Sequence, residues 1–336
     1  MSEPTVAECL QWAEKLLGGV GIESTHLDAE LLLANALRKD RFNLLMAPWQ
    51  PLEPEALDRF HRLLGRRLHR EPVAYILGEK EFWSLPLKVT PAVLIPRPET
   101  EVLVEAILAR LRRGWPVASG QWPTNTRDPH WSLVTDHCSL AVVDLGTGSG
   151  AIALALASEL PQARIYATDL SQETLGVARE NAEALKLVGR ILFLQGDLFD
   201  SLHELGLEGK VDVIASNPPY IPSEDLPRLQ PELQYEPRIA LDGGPDGLAF
   251  HRRIVAEAPW FLKPGGLLAL EVAADQAGSV VELLDGEGSY QAVEVVKDYA
   301  GHDRAVLARL RHESPVASGQ SPANSEQHVS PLVTSH

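Results

Sequence analysis

Short apolar runs alternate with helical stretches from residue 140 to residue 310, and this alternation constrains the fold more than any other feature. Parallel strands need a crossover between them, so a strand-sized run followed by a helix is the unit of a parallel sheet. The pattern predicts an α/β domain built on a doubly wound sheet with an antiparallel pair at its end. The expected strands are Ala141 to Leu145, Arg164 to Thr168, Ile191 to Gln195, Val211 to Ser216, Leu267 to Val272, Gln291 to Lys297 and Arg304 to Leu310.

The chain before this domain has a different period. Apolar residues recur at helical spacing from Thr5 to about Gly78, with further helices expected over Asp28 to Leu37 and Pro54 to Leu68. Alternation and proline between Phe82 and Ile95 predict a hairpin. We therefore expect a small helical domain over 1–80, a hairpin linker over 81–96 and the α/β domain over 97–312.

Residues 116–137 and 315–336 are copies of one another. They align without a gap, and 12 of the 22 positions are identical. Both segments are rich in Pro, Ser, Thr and Asn, and their spacing is unlike that of a solenoid repeat. We interpret 116–137 as an inserted segment and 313–336 as a disordered tail that copies it, both tolerated where a loop and a terminus absorb extra chain.

The charge disfavours DNA or RNA as the main partner. The chain has 30 Lys and Arg against 46 Asp and Glu, a formal charge of −16, so it lacks the basic surface that holds a phosphate backbone. Residues 1–80 are nearly balanced, with 10 basic and 12 acidic residues, and form the less repulsive surface for an acidic partner. Arg62, Arg66, Arg67 and Arg70 are interpreted as a solvated helix face, with partner binding as the alternative.

Cysteine usage and hydropathy point to the cytoplasm. Cys9 and Cys138 lie far apart, and neither a disulfide framework nor a zinc site is predicted. No apolar run approaches the ~20 residues that span a bilayer, and the first residues lack the pattern of a signal peptide. The 11 histidines form no HxxxH or HExxH cluster, so no metal site is expected. We expect a cytoplasmic monomer that binds neither membrane nor nucleic acid directly.

A glycine loop follows the first predicted strand. Asp144-Leu-Gly-Thr-Gly-Ser-Gly150 runs directly into an apolar helix, whose free N–H groups and close backbone approach suit a nucleotide-like ligand. Read as GxGxxA, the loop also suits a dinucleotide, so by itself it is weak evidence. Asp169 ends the second strand, where a carboxylate binds ribose hydroxyls, with a helix cap before Ser171 as the alternative.

Two further polar clusters follow the third and fourth strands. Asp197 and Leu198 offer a carboxylate for an exocyclic amine and an apolar face for a purine. Asn217-Pro-Pro-Tyr220 is the discriminating element, because its two prolines stiffen the loop and remove N–H donors. The Asn217 side chain and the Pro218 carbonyl then remain as acceptors for a planar NH2 group, with Tyr220 beside them. Carboxyl ends of strands are where open α/β sheets bind ligands.

With these motifs the sequence resembles the class I S-adenosylmethionine-dependent methyltransferases, and among them the release factor glutamine N5-methyltransferases. The resemblance covers about residues 5–312 apart from 116–137. It rests on Glu-Pro-Val-Ala-Tyr-Ile-Leu-Gly (71–78), Phe-Trp-Ser-Leu-Pro-Leu-Lys-Val (82–89), Ile-Pro-Arg-Pro-Glu-Thr-Glu (95–101), Asp-Leu-Gly-Thr-Gly-Ser-Gly (144–150), Asn-Pro-Pro-Tyr-Ile (217–221) and Asp-Tyr-Ala-Gly-His-Asp-Arg (298–304).

The resemblance implies a seven-stranded catalytic domain, S-adenosyl-L-methionine as cofactor, and the Gly-Gly-Gln motif of peptide chain release factors as substrate. It implies that Asn217, Pro218, Pro219 and Tyr220 hold the substrate glutamine amide. The cofactor residues that it implies are Asp144, Gly146, Thr147, Gly148, Ser149, Gly150, Asp169, Asp197, Leu198 and Asn217. The sequence departs from the family pattern at 271–276, and no role is assigned to that loop.

Three other functions are weighed against this one. An N6-adenine methyltransferase also handles a planar NH2 group, but the charge of −16 and the lack of a basic recognition domain count against it. A nicotinamide-dependent dehydrogenase uses a similar glycine loop but leaves Asn-Pro-Pro-Tyr unexplained. A binding protein that keeps the cofactor site without turnover is distinguished only by a methyl-transfer assay.

Overall fold

The computed structural model describes residues 3–112 and 140–312. The predicted insert at 116–137 and the predicted tail at 313–336 lie outside these residues, as does Cys138. No helix within the described ranges is both long and apolar enough to cross a bilayer.

The first part of the chain folds as a helical domain around its own core. Thr5 starts the first helix with a capping box, in which the Glu8 amide donates to the Thr5 hydroxyl and the Glu8 carboxylate accepts from the Thr5 amide. Phe60 is fully buried in the core of this domain. The helical prediction is confirmed, with two short helices added. The helices are α1 (Val6–Gly19), α2 (Thr25–Leu37), α3 (Arg41–Leu45), α4 (Pro54–Leu68) and α5 (Val73–Leu77).

The interpretation of the arginines of α4 as a solvated face is wrong for Arg67. Its side chain is 6% exposed and bonds Asp28 at 2.7 Å and Glu232 at 2.9 Å. Arg70 contacts the other oxygen of Glu232 at 2.7 Å. The sequence did not indicate this because Glu232 lies 165 residues from Arg67 in the chain. These ion pairs join the helical domain to the loop that follows Asn217-Pro-Pro-Tyr220.

The predicted hairpin is present but lies earlier in the chain. Its strands are β1 (Glu79–Phe82) and β2 (Leu85–Lys88), whereas the sequence placed it over 82–95. The turn residues Trp83 and Ser84 have φ of 53° and 58°. Both angles are positive, as in a type I′ turn, but Trp-Ser is not one of the residue pairs that mark this turn, so its position could not be read from sequence.

The α/β domain has a seven-stranded sheet, as the alternation predicted, and the structure gives its strand order as β5-β4-β3-β6-β7-β9-β8. All strand pairs are parallel except those of β9, which is antiparallel to β7 and to β8. The fold prediction and the antiparallel pair are therefore confirmed. The strands are β3 (Ala141–Leu145), β4 (Arg164–Asp169), β5 (Ile191–Gln195), β6 (Val211–Ser216), β7 (Leu262–Glu271), β8 (Tyr290–Lys297) and β9 (Asp303–Leu310).

The helices pack on the two faces of the sheet over two apolar cores. They are α6 (Thr100–Arg112), α7 (Ala151–Glu159), α8 (Gln172–Ala184), α9 (Asp200–Glu204), α10 (Ala249–Phe261) and α11 (Ala277–Glu287). The chain leaves β3 toward β4 on one side and reaches β6 on the other, so the strand order reverses between β3 and β6. A crevice opens at such a point outside the carboxyl ends of the strands.

Candidate active site

The glycine loop follows β3 and leads into α7. Gly146, Gly148 and Gly150 have φ of 69°, 58° and 86°, angles that side-chain-bearing residues rarely adopt. At Gly150 a Cβ would also lie 3.0 Å from Leu154 Cδ1. Residues 146–149 line a cavity of about 250 Å³, whereas Gly150 is not among its lining residues. Four of the five predicted loop residues therefore border the cavity, and the backbone angles explain why glycine is required at 146, 148 and 150.

Asp144 anchors this loop through hydrogen bonds of its carboxylate. It is fully buried, lines neither cavity of the region, and accepts hydrogen bonds from the Thr147 hydroxyl at 2.7 Å and the Ala153 amide at 3.1 Å. Burial raises the pKa of Asp144 to about 6, opposed by these two hydrogen bonds. The predicted direct contact of Asp144 with a cofactor does not match this placement. Its carboxylate instead fixes the loop and the first turn of α7.

Asp169 reaches the cavity from the end of β4. Its two carboxylate oxygens accept from the Gly148 amide and from the Ser171 amide, each at 3.0 Å. Ser171, and not Asp169, caps α8 by accepting from the Thr174 amide. Burial raises the pKa of Asp169, against the lowering effect of the backbone bonds. A carboxylate has about four acceptor positions, so Asp169 retains acceptors for a ligand after it has joined β4 to the glycine loop.

Asp197 and Leu198 line the same cavity after β5. Leu198 is buried, with φ of 52°, and presents an apolar wall. Asp197 lies at the rim, where Arg253 of α10 pairs with it at 3.0 Å. Arg253 also lines the cavity, and no sequence motif pointed to it, because the pairing joins residues 56 positions apart. The carboxylate of Asp197 is thus partly neutralised before any ligand arrives.

The segment Asn217 to Tyr220 leaves β6 between two adjoining cavities. Asn217 and Pro218 line both the larger cavity and a smaller one of about 160 Å³, Pro219 lines the larger, and Tyr220 lines the smaller. The Ser216 hydroxyl donates to the Leu145 carbonyl at 2.8 Å, which ties the end of β6 to the end of β3. The predicted acceptors therefore lie where the two cavities meet.

Two glycines, Gly243 and Gly247, pack closely against the backbone of this segment. A Cβ at Gly243 would lie 2.7 Å from Tyr220 Cα and 2.8 Å from the Pro219 carbonyl oxygen. A Cβ at Gly247 would lie 2.3 Å from the Tyr220 carbonyl oxygen. The Tyr220 carbonyl oxygen also accepts a hydrogen bond from Gln276 Nε2 at 2.9 Å. The backbone of Pro219 and Tyr220 is thus held in one place by close contact, and Gln276 gains a supporting role that the sequence did not assign.

Residues 92–100 form the wall opposite the glycine loop. Arg97 lines both cavities, and Thr100 lines the larger one and accepts from Asn217 Nδ2 at 3.1 Å. The Arg97 guanidinium contacts Glu236 at 2.5 Å, and Glu236 is 2% exposed. The sequence singled out the Arg-Pro-Glu-Thr-Glu stretch as a family feature, and the structure adds that Arg97 and Thr100 border the same cavities as Asn217.

Comparison with known proteins identifies the family. Residues 8–78 match the family described as PrmC N-terminal domain, and residues 136–299 match the one described as Methyltransferase domain. The release factor glutamine methyltransferase of Moorella thermoacetica is 44% identical over 310 residues, which are 92% of this chain and 100% of that protein. The chain belongs to the release factor glutamine methyltransferase family.

Further relatives agree with this assignment. The release factor glutamine methyltransferase of Geobacter sulfurreducens is 40% identical over 91% of this chain and 97% of its own length. Among solved structures, the hMettl16 catalytic domain in complex with MAT2A 3′UTR hairpin 6 has a TM-score of 0.50 at 14% identity, over 81% of this chain and 87% of its own. That likeness concerns the fold alone.

The cofactor of this methyltransferase is S-adenosylmethionine, and the larger cavity fits it chemically. The glycine loop allows close approach of a charged amino-acid portion to backbone N–H groups at the start of α7. Asp169 offers acceptors to hydroxyl groups, and the Leu198 side chain offers an apolar surface to a planar base. The glycine loop, Asp169 and Leu198 are therefore the residues that would hold the cofactor.

Glu271 is a buried carboxyl beside the methyltransferase site. It ends β7, is 1% exposed, and its pKa is raised to about 7 by burial, against a hydrogen bond from Thr100 and the charge of Arg304. Arg97 also lowers this pKa and Glu99 raises it. Burial, followed by the charge of Glu271, raises the pKa of Tyr220 to about 12. Sequence reasoning assigned nothing to Glu271 because its surroundings come from four separate segments.

The raised pKa of Glu271 predicts a pH-dependent effect of Glu271→Gln on stability. Between the ordinary pKa of 4.5 and about 7 the folded state keeps a proton that the unfolded state has lost, so rising pH destabilises the wild type. Gln carries no charge at either pH. We expect the unfolding free energy of the variant, relative to wild type, to rise by on the order of 2 kcal/mol from pH 5 to pH 8. Denaturant unfolding at both pH values measures this, and a pH-independent difference would contradict it.

Proposed function

We propose that this enzyme methylates the side-chain amide nitrogen of the glutamine in the Gly-Gly-Gln motif of peptide chain release factors and so supports translation termination. The observation that carries the proposal is the pair of rigid acceptors, the Asn217 side chain and the Pro218 carbonyl, at the meeting point of the two cavities. The larger cavity suits the cofactor. The smaller one, lined by Leu94, Tyr220 and Leu233, suits the side chain that carries the amide.

The chemistry of a primary amide explains why acceptors are needed. Its nitrogen is planar and scarcely basic because the lone pair is delocalised over the carbonyl. S-adenosylmethionine supplies an electrophilic methyl group on a positive sulfonium. Asn217 Oδ1 and the Pro218 carbonyl accept the two amide hydrogens, orient the nitrogen toward the methyl group, and stabilise the positive charge that develops on it as the nitrogen–methyl bond forms and the sulfur–methyl bond breaks. The methylated nitrogen then releases one proton to water, which leaves a neutral secondary amide.

The two prolines make these acceptors preorganised. Pro218 and Pro219 have fixed φ angles and no N–H groups, and the close contacts of Gly243 and Gly247 prevent the backbone from shifting. Acceptors that are already in place need not reorganise as charge develops, and this contributes to catalysis. Tyr220 is neutral at neutral pH, as an ordinary tyrosine is, and burial raises its pKa further, to about 12, so it borders the amide as a neutral ring.

The helical domain is the proposed contact for the protein substrate. Its charge is nearly balanced while the remainder of the chain carries most of the −16. Arg67 of α4, and Arg70 two residues after the end of that helix, bind Glu232 next to the smaller cavity. The proposal places a monomeric enzyme in the cytoplasm, acting on protein and binding neither nucleic acid nor membrane directly.

The substrate is tested with labelled cofactor and three acceptors. Purified protein should transfer label to a release factor, and the same factor with the glutamine of its Gly-Gly-Gln motif replaced by alanine should remain unlabelled. Duplex DNA and structured RNA containing adenine serve as the third arm and should also remain unlabelled. Label on nucleic acid with none on release factor would refute the proposal, and label on both release factors would refute the assigned glutamine.

A further inference from the structure

Thr100 lies between the Asn217 side chain and the buried carboxyl of Glu271. Its hydroxyl oxygen accepts from Asn217 Nδ2 at 3.1 Å, and a hydrogen bond from the same side chain lowers the pKa of the Glu271 carboxyl. Thr100 is 4% exposed and Glu271 1% exposed. The second carboxyl oxygen of Glu271, Oε2, is buried without a hydrogen-bond partner among the described residues. A buried carboxyl oxygen without a hydrogen-bond partner is uncommon and calls for a structural or functional explanation.

Sheet register brings the three residues together. Ser216 of β6 pairs with Leu270 of β7, so Asn217 and Glu271 are the next residues on adjacent parallel strands. Thr100 is the first residue of α6 and packs against the end of both strands. The Nδ2 group of Asn217 therefore meets the Thr100 hydroxyl at the start of α6.

The chemistry of this hydroxyl decides which way the amide points. A threonine hydroxyl has one proton to donate and lone pairs to accept. An ionised carboxylate can only accept, so a hydroxyl beside Glu271 gives its proton to the carboxylate and keeps only lone pairs for Asn217. Those lone pairs select the NH2 group of Asn217. The Asn217 oxygen is then left on the opposite side, available to a ligand.

We propose that Thr100 and Glu271 are positioning residues that fix the Asn217 amide with its oxygen toward the substrate. This inference rests on the proposed function, in which that oxygen accepts a substrate amide hydrogen. An amide turned by 180° would present its own NH2 group to the NH2 group of the substrate, two donors facing one another. Either end of the Asn217 amide would fit sterically at this position. The hydrogen bonds that run from Glu271 through Thr100 to Asn217 disfavour the turned orientation.

Kinetics of three variants at pH 8, where the Glu271 carboxyl is ionised, test the proposal. Thr100→Val keeps the shape and removes the hydroxyl, and we expect kcat with saturating release factor and cofactor to fall 10- to 100-fold. Thr100→Ser keeps the hydroxyl and should recover most of this loss, which a purely structural role of the methyl group would not produce. Glu271→Gln can donate to Thr100 and so permits both amide orientations, so kcat should fall several-fold while cofactor Kd stays within twofold.

A second measurement does not depend on turnover. The side-chain amide signal of Asn217 in a ¹⁵N NMR spectrum is assigned by its absence in Asn217→Asp, and its hydrogen exchange is followed in each variant. Exchange should be slow in wild type and Thr100→Ser and at least tenfold faster in Thr100→Val. This measurement keeps the inference testable even if Thr100→Val lowers stability, because folded protein is observed directly.

The outcomes separate the inference from the proposed substrate. Equal exchange in Thr100→Val and Thr100→Ser overturns the positioning role, whatever the kinetics show. Faster exchange with undiminished kcat in Thr100→Val also overturns it, because the orientation would then not matter. If wild type fails to label release factor while the exchange difference is present, the proposed substrate is refuted and the hydrogen-bond chain stands.

Discussion

Replacing Asn217 by Ala is expected to lower kcat for release factor methylation by about 100- to 1,000-fold, the range found when one preorganised hydrogen-bond partner of a transition state is removed. The oxygen of Asn217 interacts most strongly as positive charge grows on the substrate nitrogen, so its loss affects the chemical step more than binding. Cofactor Kd should change less than threefold, since the glycine loop and Asp169 remain. Single-turnover rates and calorimetric binding measure the two effects separately.

The matched variant Asn217→Asp sharpens this prediction. An aspartate accepts hydrogen bonds but cannot donate to the Thr100 hydroxyl, and its charge attracts the sulfonium. Cofactor should bind at least as well as in wild type while methyl transfer falls. Asn35→Ala, at an exposed position of α2 that lines neither cavity, serves as the control. Wild-type turnover by both Asn217 variants would remove this residue from the amide-binding site.

Replacing Asp169 by Ala is expected to weaken cofactor binding by about 10- to 150-fold, because a hydrogen bond to a charged group contributes roughly 1.5 to 3 kcal/mol. The variant also frees the Gly148 and Ser171 amides, which Asp169 holds at 3.0 Å. The loop then samples other conformations before the cofactor binds. Turnover should partly recover at saturating cofactor, since Asp169 does not contact the amide acceptors.

Asp197→Asn provides the comparison for Asp169. Asp197 is 41% exposed and already paired with Arg253, so the loss of its charge should weaken cofactor binding much less than the loss of Asp169. Cofactor titrations of both variants and of Asp169→Asn, which keeps the shape and one acceptor oxygen, rank the three contributions. An Asp169→Ala variant that binds cofactor like wild type would contradict the assignment, and so would an Asp197 effect as large as that of Asp169.

The sequence predicted the strands well because their signal is local. Val211–Ser216 is buried along its whole length, and its mostly apolar sequence, with Val211, Val213, Ile214 and Ala215, is typical of a strand covered on both faces. The hairpin was misplaced because its turn at Trp83 and Ser84 adopts positive φ without the usual residues. Arg67 was interpreted as solvated because a charged residue on a helix gives no sign of a partner as distant in the chain as Glu232.

The residues of the candidate site also fall into two groups, those that the sequence pointed to and those that only the structure revealed. Asp169, Asn217 and the glycines could be found because each lies directly after a strand, and the ends of parallel strands meet at one edge of the sheet. Asp144 belongs to the same motif, but its role as an anchor behind the loop depends on which side of the backbone it occupies. Arg253 and Glu271 reach the region from other segments, and no local pattern assigns them a role. Thr100 lies in the Arg-Pro-Glu-Thr-Glu stretch, but that motif does not indicate its contact with Asn217.

By itself the sequence determined the fold class and the family resemblance, and it predicted the acceptors of the Asn-Pro-Pro-Tyr motif, because periodicity and short motifs are properties of neighbouring residues. Only the tertiary structure decided which groups surround those acceptors. The contact of Asn217 with Thr100 joins residues 117 positions apart, and that of Arg67 with Glu232 joins residues 165 apart. Such contacts arise from packing and sheet register, which bring distant residues within hydrogen-bond distance of Asn217 and bury the Glu271 carboxyl, so that its pKa is raised.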